Sequence, residues 1–63
     1  MKEIKKGDVV QTTEGFFEII EVREMAGGTN WVYAEMECDD NGNLVRTEET
    51  GTWVKGDLSK IIG

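Results

Sequence analysis

The chain holds no proline, no histidine and a single cysteine, and it carries no long apolar run. Without histidine, the commonest metal ligand and the usual neutral-pH proton shuttle are missing. The lone thiol, Cys38, can form neither an internal disulfide nor a cysteine-cluster zinc site. Ser59 is the only serine, and no histidine stands ready to activate it or Cys38. Nothing approaches the roughly 20 apolar residues of a membrane span. The charged start, Met1-Lys2-Glu3-Ile4-Lys5-Lys6, lacks the apolar stretch of about 7–15 residues that a secretory signal needs. Basic residues are also scarce, with 7 Lys and Arg against 13 Asp and Glu for a net charge of −6. That balance opposes a protein whose main work is gripping phosphates. The expectation is a complete, non-enzymatic, cytoplasmic protein with no cofactor, no metal and no membrane span.

What is present is short-range order. Sixty-three residues make one domain, 1–63, and so short a chain buries only about 60% of the surface its unfolded form exposes. Turn signals recur at Lys6-Gly7-Asp8, Glu14-Gly15, Gly27-Gly28, Asn41-Gly42, Gly51 and Lys55-Gly56-Asp57. The runs between them are rich in Val, Ile, Thr and aromatics, which suits strands rather than helices. Asp8 to Thr12 reads as a first strand. Phe17 and Ile19 share one parity while Phe16, Ile20 and Val22 share the other. Such a phase change predicts a bulge or sharp bend in the second strand.

The clearest alternation runs from Thr29 to Cys38. It predicts Val32, Ala34, Met36 and Cys38 on the core face and Trp31, Tyr33, Glu35 and Glu37 on the other. Asp39-Asp40-Asn41-Gly42-Asn43 predicts a hairpin with Asn-Gly in a type I′ turn. Asp39, Asn41 and Asn43 also match the first alternate ligands of a calcium loop. Leu44 and Thr50, however, stand where its glycine and bidentate glutamate belong, so a turn is the reading. The returning strand starts near Leu44, with a break at Gly51 before Thr52-Trp53-Val54. Asp57 to Ile62 predicts one helical turn and a very short last strand. Five bent strands in this length fit a small barrel better than a sandwich.

Three segments carry a resemblance. Ile4-Lys5-Lys6-Gly7-Asp8-Val9-Val10 resembles the Gly-Asp lead-in to the first strand of the SH3-like small-barrel superfamily, which includes KOW, Tudor and PWWP domains. Gly15 with Phe17-Glu18-Ile19-Ile20-Glu21-Val22 is similar to that fold's long bent second strand. Trp53-Val54-Lys55-Gly56-Asp57-Leu58-Ser59-Lys60-Ile61 is similar to its closing strand, one-turn helix and terminal strand. The resemblance implies an all-β, five-stranded SH3-like barrel with a short one-turn helix before the last strand.

Charge is distributed unevenly. Residues 14–50 carry ten acids against Arg23 and Arg46, a net −8, while each end is +1. An outward Trp31 and Tyr33, beside Glu35 and Glu37, would make an aromatic and acidic surface for a basic protein partner. Coverage of the two rings by a loop or by the bent second strand is the alternative. Trp53 either joins this patch or plugs the barrel, its neighbour Val54 taking the other role. The expected partner-binding residues are thus Trp31, Tyr33, Glu35, Glu37, Asp39, Asp40 and Trp53, in a regulator or inhibitor that docks on a basic surface. The second reading is a nucleic-acid-binding, KOW-type barrel using Lys2, Lys5, Lys6, Lys55 and Lys60. A third is self-association into a homo-oligomer.

Overall fold

The computed structural model describes residues 3–63, so Lys2 lies outside the described residues. The chain is mostly β. Its strands are β1 (Val9–Thr12), β2 (Gly15–Met25), β3 (Gly28–Cys38) and β4 (Leu44–Trp53), followed by a 3₁₀ helix, Lys55–Lys60. The strands form one antiparallel sheet in the order β1-β2-β3-β4.

The Gly-Asp lead-in makes a turn. Gly7, at φ +95°, lets the chain reverse. The Asp8 carboxylate accepts the Lys5 N–H at 3.0 Å. Backbone bonds from Gly7 N–H to the Ile19 carbonyl at 2.7 Å, and from Ile19 N–H to Asp8 at 2.8 Å, then seat β1 on β2. The expected irregularity in β2 is present as a register shift between Ile19 and Glu21 in the pairing with β3. Ahead of it Phe17 and Ile19 face the core, and after it Val22 packs on the same cluster. One extra residue thus moves the apolar parity from odd to even and bends the strand.

Where five barrel strands were expected, the structure has four strands in one open sheet. The predicted helical turn is there. The predicted last strand is reduced to one bridge, Thr12 with Ile61. Gln11 anchors that segment on both sides, accepting from Ile62 N–H at 2.8 Å and donating to the Gly63 carbonyl at 3.1 Å. The expected break of β4 at Gly51 is also displaced. β4 is continuous, and its irregularity lies at Thr47–Glu49, between the pairs Ala34–Thr50 and Met36–Arg46.

The β3 face assignment is reversed over the core. Tyr33 pairs with Ile19 and Trp31 with Trp53, which sets both rings on the side of Phe17 and Ile19. The buried cluster is Val10, Phe17, Ile19 and Trp53, with Trp31, Tyr33, Ile4, Val22, Leu58 and Ile61 packed against it. Of the residues expected inside, Ala34 is buried, Val32 and Met36 are half-buried, and Cys38 is exposed. Glu35 and Glu37 misled the alternation because β3 runs past the core. They share the parity of the two rings but lie where the strand has left the apolar cluster. Ala34, on the opposite face, pairs with Glu18. Glu18 is joined across β3 to Arg46 Nη2 at 3.0 Å.

Trp31 also fastens the amino-terminal segment, its indole Nε1–H donating to the Ile4 carbonyl at 3.0 Å. Trp31→Phe keeps most of the ring and loses that donor. The expected cost is about 1 kcal/mol, with faster amide exchange over residues 4–8 as the readout.

The β3–β4 connection is not type I′. Only Gly42 in it has positive φ, +82°. Gly42 N–H donates to the Asp39 carbonyl at 3.0 Å, and Asp39 N–H to Asn43 at 2.8 Å. This is a type I turn closed by a glycine bulge, with a three-residue loop. Asp39 selects it, because one carboxylate oxygen accepts the N–H groups of Asn41 and Asn43, each at 2.9 Å.

Candidate functional site

Three aromatic rings meet in the buried cluster on one face of the sheet. Phe17 meets Tyr33 edge-on at 5.1 Å and Trp53 at 5.2 Å, while Tyr33 and Trp53 lie tilted by 30° at 4.5 Å. Gly51, opposite Tyr33 on β4, makes room for the phenol. A Cβ built there would overlap the Tyr33 hydroxyl and come within 2.6 Å of its Cζ.

Above this cluster opens a cavity of about 230 Å³, lined by Phe17, Tyr33, Trp53, Thr12 and Thr50 and edged by Glu14, Glu35, Glu49 and Lys60. Each acid comes from a different element. Glu14 sits in the β1–β2 turn, braced by the buried Thr12, whose hydroxyl accepts the Glu14 N–H at 3.0 Å. Glu35 projects from β3 where the strand leaves the core. Glu49 sits in the β4 irregularity, where its N–H donates to the Thr47 hydroxyl at 3.1 Å. Lys60 reaches the edge from the 3₁₀ helix, 3.6 Å from Asp57.

Of the expected binding residues, the structure brings Tyr33, Glu35 and Trp53 together at this cavity. Trp53 contributes as floor rather than as an exposed anchor. It is 5% exposed, and Val54 takes the outward role at 54%. Trp31 belongs elsewhere, lining a second, more apolar groove of about 480 Å³ between the β2–β3 turn and Val54-Lys55-Gly56. Glu37, Asp39 and Asp40 lie on the outer half of the β3–β4 hairpin. No residue from Glu35 to Thr50 is buried, so this half stands off the core.

Sequence reasoning missed Glu14, Glu49, Phe17, Thr12 and Thr50 as partners of this site. The parity of Phe17 and Ile19 was a usable signal, since whichever β3 residue pairs with Ile19 must share its face. Glu49 gave none, because its place depends on the three-residue irregularity of β4. No protein-family model, no curated protein and no solved structure matches the chain. No helix among the described residues is long and apolar enough to cross a membrane.

Proposed function

We propose that the protein is a non-enzymatic binding module with an SH3-like barrel arrangement, and that it docks on the basic surface of a protein partner. The observation that carries this is the cavity, where an aromatic floor meets three carboxylates from three elements. Aromatic and acidic groups held together favour cations by attraction to ring faces and by charge steering. The outer hairpin, with Glu37, Asp39, Asp40 and Glu48, extends the same sign of charge beside it. The terminal segment's bridge to β1 and the bent β2 support the barrel assignment.

The nucleic-acid reading has less support. Lys60 stands among the carboxylates of the first cavity and Lys55 lines the second groove, so the lysines serve two different places. Binding of a labelled lysine- and arginine-rich peptide, compared with single-stranded DNA, separates the two. The peptide is expected to bind at low salt and weaken as salt rises, with no DNA binding. DNA binding with a steep salt dependence, and none of the peptide, would reverse the assignment.

A further inference from the structure

We infer that the cavity takes an arginine guanidinium from the basic partner; this rests on the binding-module reading and supplies the chemistry of its anchor. The size points to one side chain. About 230 Å³ lies below the roughly 300–1,000 Å³ of pockets that hold drug-sized molecules. The walls point to a cation that is both flat and wide. Tyr33, half-buried, presents an aromatic surface at the cavity, packed on Trp53 and Phe17. A guanidinium stacks on such rings and is less strongly hydrated than an ammonium.

The carboxylates do not make a metal site. Among the described residues no three acidic or thiol side chains are close enough to hold a metal ion together. A divalent cation such as Ca²⁺ would need some 6–8 oxygens at about 2.3–2.6 Å. Glu14, Glu35 and Glu49 instead line the cavity beside the rings. A guanidinium can donate two parallel N–H bonds to one carboxylate while its flat face stacks on a ring. A lysine ammonium is a compact, strongly hydrated point charge with no flat face to stack. Lys60 does not fill this role itself. Its side chain is 51% exposed, and the acid it pairs with, Asp57, belongs to its own helix.

The test is a two-dimensional NMR titration of the ¹⁵N-labelled protein with Nα-acetyl-arginine amide and, separately, Nα-acetyl-lysine amide. The arginine compound is expected to shift the Trp53 indole N–H and the amides of Glu35, Glu49 and Thr50 in a saturable way. The lysine compound is expected to bind at least five-fold more weakly. E35Q/E49Q changes two exposed positions, so it should keep the dispersed spectrum of the folded chain and lose the arginine response. Lys60→Gln should tighten arginine binding several-fold by removing a competing cation. Equal responses to both compounds, or shifts away from the cavity, would overturn the arginine anchor. If the basic peptide still bound in that case, the binding-module reading would survive. If the peptide bound nowhere, both would fall.

Discussion

Trp53→Ala is expected to unfold the protein or leave it at the margin of stability. The indole sits in the buried cluster at 5% exposure, edge-on to Phe17 at 5.2 Å and tilted on Tyr33 at 4.5 Å. Truncating a buried aromatic costs about 3–5 kcal/mol, through lost transfer energy and the cavity left behind. A domain of this length has only about 3–9 kcal/mol in total, at roughly 0.05–0.15 kcal/mol per residue. With so few buried residues, no second cluster can compensate. Urea unfolding followed by far-ultraviolet circular dichroism should show the cooperative transition lost or moved to very low denaturant. A loss below 1 kcal/mol would mean that Trp53 is not the central core residue.

Gly51→Ala should be the next most damaging single change. The reason is space rather than backbone conformation, since Gly51 is not among the positive-φ glycines. The added methyl would overlap the Tyr33 hydroxyl and approach Cζ to 2.6 Å. Tyr33 has little freedom to retreat, because Phe17 and Trp53 hold its ring on two sides. Overpacking of this kind costs about 1–3 kcal/mol. A double-mutant cycle with Tyr33→Ala isolates the cause. With the ring gone, the penalty of Gly51→Ala should largely vanish, a coupling of at least about 1 kcal/mol. Additive effects would show that the glycine serves some other purpose.

Much of the chain's organisation was legible in its residues, and the limits have physical causes. The Gly-Asp lead-in, the bend in β2 and the final helical turn each depend on local signals: a glycine conformation, a parity change, a short segment after a turn. All three are present, the helix starting at Lys55 rather than at Asp57. The hairpin at Asp39 to Asn43 was legible as a turn but not as its type, because Asp39 braces a glycine bulge that Asn-Gly alone does not reveal. Which face of β3 meets the core was not legible from the alternation of β3 alone. Local alternation treats a strand as uniformly covered, whereas β3 crosses the core only along its first half. The cavity inherits that limit. Tyr33, Glu35 and Trp53 could be singled out by residue type, but their meeting with Glu14 and Glu49 depends on register and on the β4 irregularity.

The most direct test of the binding surface is to map the basic peptide onto the protein by amide shift perturbation. The expected shifts cluster on Glu14, Glu35, Glu49, Thr50 and the Trp53 indole, with weaker changes along the hairpin through Asp39 and Asp40. Shifts confined to the groove beside Trp31 and Lys55, or to the turn at Lys5 and Lys6, would contradict it.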